Sequence, residues 1–477
     1  MRSLGFACVA VLCAAVSGGA KAAVKLAPAS GHPSAAVTVS GGGFSDLEAV
    51  DVYVDTADAV LLAASATGTI SGSVTIPAAA QPGRHTVTAV GRHSGTAFQA
   101  AFTVTTPWAQ PGYGAAHLGW NPYENTLNPG NVGSLGIKWQ SPVNGLGGTA
   151  TVSGGRVFAA TNSGLEALST ATGKVLWNVL AGHAFYASPA LSGSTLYVGE
   201  GRGQTFYALN AATGAMVWSR SGSYPFYGSP VVAGGMVYAG SYGGTVTAFS
   251  AATGTVIWTY STSANISGTP AVAGGILFVG VGNEIIALNA TTGAVIWTYT
   301  TGSSVTGSPA VANGVVYAGS ADSKVYALAA AGPSPGALLW STTADSAVNA
   351  SAAVAAGTVF VGSSNGTMYA LNAQTGAVQW STAVGNALES AVVANGVVYV
   401  TSASGGLFAF DAATGNVLAG GQAGASLFGN PTVSDGVVYL NTYGGDVYAF
   451  GLLAGTDLVR APRVADLRPD RGLVVRP

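Results

Sequence analysis

From residue 139 onward the chain repeats itself with a period near 40, and no other feature narrows the choice of fold as far. Tryptophans stand at Trp139, Trp177, Trp218, Trp258, Trp297, Trp340 and Trp380, and Leu418 holds the next place; the spacings are 38, 41, 40, 39, 43, 40 and 38. Each unit has one grammar: a Ser-Pro, an apolar alternation, Gly-Gly or Asn-Gly, a Val/Tyr-rich run, a Gly/Ser loop, a Tyr-Ala-Leu run, Thr-Gly, and an apolar pair with Trp. Asn-Gly between alternating runs marks a two-residue hairpin, because both central residues must accept positive φ. Each unit is therefore four short strands. The Ser-Pro place recurs as Thr149-Ala150, Ser188-Pro189, Ser229-Pro230, Thr269-Pro270, Ser308-Pro309, Ser351-Ala352, Ser390-Ala391 and Asn430-Pro431, which makes eight units. The eighth stops at Phe450 without a Trp strand of its own, while an unpaired one, Leu135 to Gln140, precedes the first. Ring closure uses both leftovers and removes the exposed sheet edges that an open solenoid would keep.

Composition excludes other classes. The 477 residues hold 70 Gly and only 7% charged residues, with a net charge of −2. Disorder needs lower hydrophobicity or more charge than a chain that is 49% hydrophobic. With 16 Lys and Arg against 18 Asp and Glu, no basic surplus exists to neutralise phosphates, so no nucleic-acid partner is expected. Mean hydropathy is +0.43, yet Gly, Ser or Thr interrupts every apolar run after residue 22 before the ~18 residues of a spanning helix. Arg2, the apolar stretch Leu4 to Val16 and Ala20-Lys21-Ala22 read as a secretory signal peptide over 1–22, with export to the cell surface, periplasm or medium. Cys8 and Cys13 both fall inside it, so the mature chain is expected to hold neither a disulfide nor a thiolate metal site.

Residues 24–105 alternate apolar and polar positions in short runs, such as Val50-Asp51-Val52-Tyr53-Val54, and read as a small β-sandwich. The opening Pro28-Ala29-Ser30-Gly31 with Val37 to Phe44 resembles the immunoglobulin-like domains of the IPT/TIG type on exported bacterial proteins. Asp46, Glu48, Asp51, Asp55 and Asp58 do not match a compact loop of calcium ligands and read as a solvated acidic face. Residues 106–134 then read as a linker, 135–452 as the repeat array, and 453–477 as a charged, flexible tail.

The copies of Ala208 to Trp218, notably Ala370 to Trp380, resemble the tryptophan-docking repeat of pyrroloquinoline-quinone (PQQ)-type propellers, and Ala115 to Pro122 resembles the segment leading into them. The resemblance implies an all-β chain: an eight-bladed β-propeller closed by an N-terminal strand, preceded by the immunoglobulin-like sandwich. It says less about function, since such propellers serve quinoprotein dehydrogenases and non-catalytic envelope proteins alike. It also implies that a working dehydrogenase would offer a vicinal disulfide, a calcium held by carboxylate and amide oxygens, and an aspartate base. The cysteine count denies the first. The family's aspartate before Thr-Gly is Ser169, Asn210, Ser250, Asn289 and Asn372 here and survives only as Asp411, a turn-capping role that Asn and Ser also fill. Each repeated Trp is expected to pack between neighbouring blades. His117 and His183 stand 66 residues apart with no third ligand at metal spacing.

Aligned copies form rings around the axis. The residue before each Ser/Thr/Asn is Gly148, Ala187, Gly228, Gly268, Gly307, Ala350, Glu389 and Gly429, so Glu389 alone departs from the small-residue rule. One place earlier stand Tyr186, Tyr227, Asn349 and Phe428, and the loops after the second strands add Arg202, Tyr242 and Tyr443. These eight residues are the candidate ligand-binding face: an aromatic arc that either plugs the funnel or binds a sugar, peptide segment or planar ligand. Arg202 is the arginine placed to partner Glu389, although across the ring. The expected function is non-catalytic binding or scaffolding by a monomer, with an envelope or surface protein, peptide or glycan as partner and no cofactor or metal. A PQQ- and calcium-dependent oxidoreductase is the alternative, and glycan binding or processing a second.

Overall fold

The computed structural model describes residues 23–143, 147–262, 264–422, 427–442 and 445–453. The signal segment, Tyr443 and the tail beyond Leu453 lie outside them. The chain divides into Met1–Thr105 and Thr106–Pro477.

In the first unit Val24–Ala27, Ala36–Gly42 and Thr69–Thr75 form one sheet; Ser30–Gly31, Ala97–Val104, Gly83–Gly91, Ala49–Val54 and Ala57–Ala63 form a second. Period-two alternation sends Val37 and Val39 from one sheet, and Val50, Val52, Val87 and Phe102 from the other, into one shared core. The acidic face is solvated only in part: Asp46, Asp55 and Asp58 are exposed and Asp51 is half-buried, but Glu48 is not solvated. Glu48 is buried beneath the hairpin at 91–94, where its carboxylate accepts the N–H groups of Ser45 (2.6 Å), His93 (3.1 Å) and Ser94 (2.9 Å) and the Ser94 hydroxyl (2.8 Å). Those donors, Ser94 foremost, hold its pKa down at about 2. Asp51 takes a two-pronged bond from Arg92, both 2.8 Å, and Asp55 bonds His85 at 2.7 Å. Three carboxylates thus serve three separate local partners.

In the second unit the described residues form eight sheets, each built on four antiparallel strands and numbered here by first strand; seven run in sequence order, and sheet seven adds the short parallel strand Trp120–Asn121. Sheet one is Gly147–Ser153, Arg156–Thr161, Gly164–Ser169 and Val175–Val179. Sheet eight combines Leu427–Ser434, Val437–Thr442 and Asp446–Leu452 with the early strand Leu135–Pro142, so that Trp139 pairs with Ala449. Consecutive sheets meet through two recurrent contacts. At the outside, each Trp indole N–H donates to a turn carbonyl of the next sheet: Trp218 to Ala251 at 2.9 Å, Trp258 to Ala290 at 2.8 Å, and Trp139 of sheet eight to Thr170 of sheet one at 2.8 Å. The ring lies on the glycine of that turn. A Cβ on Gly254 would stand 2.5 Å from Trp218, and its φ of +69° suits glycine in any case. At the centre, a backbone N–H donates to a hydroxyl of the next copy: Thr149 to Ser188, Ser188 to Ser229, Thr269 to Ser308, Ser308 to Ser351, Ser351 to Ser390, and Asn430 back to Thr149. Sheet eight therefore touches sheet one through both of the contacts that recur between the other sheets.

Residues 106–134, set down above as a linker, do more than connect. Each first strand faces the axis with one edge unpaired, and the stretch Thr106–Asn121 runs past all eight. The N–H groups of Val152, Leu191, Val272, Val311, Val354 and Val393 donate in turn to the carbonyls of Trp108, Ala109, Ala115, Ala116, Leu118 and Gly119, at 2.7 to 2.9 Å. In sheet three the Gln110 amide replaces backbone, accepting from Val232 N–H and donating to its carbonyl. In sheet eight Thr106 N–H reaches Asp435 and Asn121 reaches the Val433 carbonyl. One strand edge after another is satisfied by a plug that closes one end of the axis.

Gly112 lets the plug fold back on itself, because a Cβ there would lie 2.5 Å from the His117 ring at a φ of +63°. Gly112→Ala should lower unfolding free energy by about 1–3 kcal/mol in denaturant titration; an unchanged midpoint would show that the plug is dispensable. Deleting residues 135–140 should leave Asp446–Leu452 an open edge, and the protein should melt earlier and self-associate. A deleted chain that stays monomeric at the original melting temperature would refute the pairing as a closure.

Candidate functional site

The plug bonds to the downstream ends of the first strands, so the candidate residues, just upstream of them, surround the other mouth of the axis. Crowding there explains the small residues. A Cβ on Gly228 would approach the Gly268 carbonyl to 2.6 Å, and one on Gly307 the Ala350 carbonyl to 2.7 Å. Glu389 stands in this ring half-buried. Its N–H donates to the Thr401 carbonyl at 2.9 Å, and among the described residues no hydrogen bond or ion pair reaches its carboxylate. Burial without a partner pushes its pKa above the ordinary glutamate value.

Arg202 is not its partner. Its Nε donates to the Tyr186 hydroxyl at 2.6 Å within the same sheet, where Gly201 leaves room for the tyrosine ring. Tyr186 in turn meets Tyr227 edge-on, centroids 5.5 Å apart at 71°, and Tyr227 meets the exposed Tyr242 at 4.6 Å. The structure therefore gathers Arg202, Tyr186, Tyr227 and Tyr242 into one ladder across sheets two and three. Asn349 lies apart from it, close to Thr306 and Ser364 at 3.3 and 3.4 Å. Phe428 pairs with Asn441 through its backbone, and Tyr443 lies outside the described residues.

A neighbouring cluster escaped the sequence reading. His183 Nδ1 lies 2.9 Å from Glu200, and the Tyr207 hydroxyl lies 3.3 Å from His183 and 3.4 Å from Glu200. Gly203 makes this possible, because any side chain there would collide with the Glu200 carboxylate. The signal was present in Glu200-Gly201-Arg202-Gly203, a loop whose two glycines each admit one functional side chain. Searching only for metal spacing around His183 passed over it.

The raised pKa of Glu389 has a defined sign. The unfolded chain releases this proton at lower pH than the folded one, so Glu389 costs no stability below the ordinary glutamate pKa. It costs progressively more as pH rises through the folded pKa. Glu389→Gln should melt with the parent at pH 4 and above it at pH 8; parallel melting curves at both would show the carboxylate to be solvated or paired.

The chain was compared with known proteins. The model for a repeat family described as outer membrane protein assembly factor BamB matches residues 131–199, 161–267, 244–332 and 329–466. No curated protein matches. Among solved structures, BamB from Moraxella catarrhalis is 20% identical with a TM-score of 0.59, covering 66% of this chain and 99% of its own. Quinohemoprotein alcohol dehydrogenase from Comamonas testosteroni is 18% identical with a TM-score of 0.61, covering 73% and 80%. The computationally designed Ika8 protein is 16% identical with a TM-score of 0.58, covering 66% and 99%. At these identities the likeness is one of fold, and it makes the ring of four-stranded sheets a propeller-like, PQQ-type architecture. With its repeats matched from residue 131 to 466, the chain belongs to the family described as outer membrane protein assembly factor BamB.

Proposed function

We propose that this chain is an exported, non-catalytic binding or scaffolding protein of the cell envelope, a monomer with an eight-bladed closed propeller and an N-terminal immunoglobulin-like domain. The observation that carries the reading is the asymmetry of the axis. One mouth is closed by Thr106–Asn121, and the other is ringed by Tyr186, Tyr227, Tyr242, Arg202, Asn349 and the unpartnered Glu389. Three tyrosines offer apolar faces and polar tips, and Glu389 offers a carboxylate with nothing yet bound to it, which suits a segment of a partner protein better than a solvated surface does. The family's description as an outer membrane assembly factor supports an envelope protein as that partner.

The residues of this mouth do not fit calcium with pyrroloquinoline quinone. Among the described residues no three His, Cys, Asp or Glu side chains stand close enough to share a metal, and Glu389 has only neutral neighbours in its ring. Hard cations want six to eight oxygens.

Two measurements test the reading. A photo-crosslinking residue at Tyr242, with the full chain in its native cell, should capture an envelope protein, and Tyr227→Ala should weaken that capture at least tenfold without changing the melting temperature. Equal capture from the plug face would refute the site. Titration with the quinone and calcium should leave the near-ultraviolet and visible spectrum that of free quinone; a shifted spectrum with dye-linked alcohol oxidation would establish the oxidoreductase instead. A glycan array that reports tight binding would replace the protein partner by a sugar.

A further inference from the structure

Two polar side chains of the plug have no partner among the described residues although each is more than nine-tenths buried: the Trp108 indole Nε1 and the His117 Nδ1. Neither belongs to the mouth described above. Both line one small cavity, of about 10 Å³, whose remaining polar walls are Thr149, Ser351, Ser390 and Asn430 from sheets one, six, seven and eight. An indole N–H can only donate, and an unpaired buried donor or acceptor costs about 1–3 kcal/mol. Two such groups on residues that line one polar cavity call for a shared partner.

The walls define that partner. The Thr149 hydroxyl accepts the Asn430 N–H at 3.1 Å, the Ser351 hydroxyl that of Ser308 at 2.8 Å, and the Ser390 hydroxyl that of Ser351 at 2.8 Å. With their oxygens already accepting, each hydroxyl keeps a proton to donate. The volume is about that of one water-sized probe, the least that holds a water. No Lys or Arg lines the cavity. Burial pushes the His117 pKa down to about 4, so the imidazole is neutral at ordinary pH. A bare anion in such surroundings would lose its hydration without a compensating charge.

We infer that this cavity is a binding site for a single water molecule, which accepts from the Trp108 indole and a wall hydroxyl and shares a hydrogen bond with His117 Nδ1. Three bonds is the usual complement of a buried water. The water joins the plug to the inner strands through side chains, where the plug's bonds to the same sheets are mainly backbone. It sits next in chain to the Glu389 ring, since Ser390 forms part of its wall. The inference is independent of the proposed function, because neither Trp108 nor His117 faces the open mouth.

A crystal structure of the full chain should show one density peak within hydrogen-bond reach of both Trp108 Nε1 and His117 Nδ1, and no peak there would overturn the inference. Soaking in bromide should leave the peak without anomalous signal; a bromide peak would make the occupant an anion and overturn the water. In solution, the Trp108 indole resonance, identified by its loss in Trp108→Phe, should show a cross-peak to water and slow exchange. His117→Phe, which removes the ring nitrogen and narrows the cavity, should abolish that cross-peak while the other indoles keep theirs unchanged. A cross-peak that persists in folded His117→Phe would overturn the site. If that variant fails to fold, the crystal structure of the unmodified chain still decides.

Discussion

Seven times in this molecule an indole N–H of one sheet donates to a turn carbonyl of the next, with the ring seated on the glycine of that turn. A four-stranded sheet of this size cannot bury both faces by itself, so the junction rather than the sheet is the unit that must be stable. The contact is directional as well as apolar. The indole bond sets where the neighbouring turn sits, and the glycine sets how close it comes. Tyrosines reinforce three of the junctions, since the Ala251, Ala290 and Ala373 carbonyls also accept from Tyr197, Tyr238 and Tyr317. Where an Asn or Asp precedes the turn, its side chain caps the turn's N–H groups. Asn210 accepts the N–H groups of Ala212 and Thr213, and Asp411 does the same for Ala413 and Thr414.

The eighth junction, between sheets seven and eight, lacks this contact. Sheet eight borrows its fourth strand from the start of the repeat region, so no Thr-Gly turn joins its third strand to its fourth, and Leu418 stands where a Trp would have nothing to dock on. Residues 122–134 occupy the place instead. Asn395 donates to the Leu127 carbonyl, and the buried Glu124 accepts from Thr126, Leu127, Gly436 and the Thr106 hydroxyl. Tyr399, whose counterparts Tyr197, Tyr238 and Tyr317 bond a turn carbonyl, has a buried hydroxyl with no partner among the described residues, and Glu124 beside it pushes its pKa up further than burial alone. Closure of the ring by an N-terminal strand and the special build of the preceding segment are two consequences of one missing turn.

The plug also makes the two faces of the ring different. Its carbonyls take the N–H groups that the first strands would otherwise present to the axis, leaving the mouth around Glu389 as the open end. There the same crowding that demands glycine and alanine makes a single carboxylate conspicuous, while the tyrosines of sheets two and three have room because Gly201 lies beneath Tyr186. The site is thus assembled from departures from the repeat on a scaffold that the repeat itself supplies.

Much of the scaffold was legible in the amino-acid sequence because it rests on local rules. Period-two alternation gives strands, Asn-Gly and Thr-Gly give turns, and a Trp every 40 or so residues gives the junctions; copying these along the chain leaves one strand too few at the end and one too many at the start. The ring alignment nominates Glu389 and the tyrosines as candidates on the same rule, since equivalent positions of a repeat are equivalent in space. What the sequence could not show was decided by partners chosen in three dimensions. The plug has no periodicity, and its bonds run through backbone carbonyls that carry no residue signature, so 106–134 read as a linker. Glu48 looked solvated because burial under a hairpin depends on where that hairpin folds. Arg202 turned to Tyr186 rather than Glu389, and His183 found Glu200 and Tyr207, because hydrogen-bond reach is a few ångströms and only the folded ring determines which side chains fall within it.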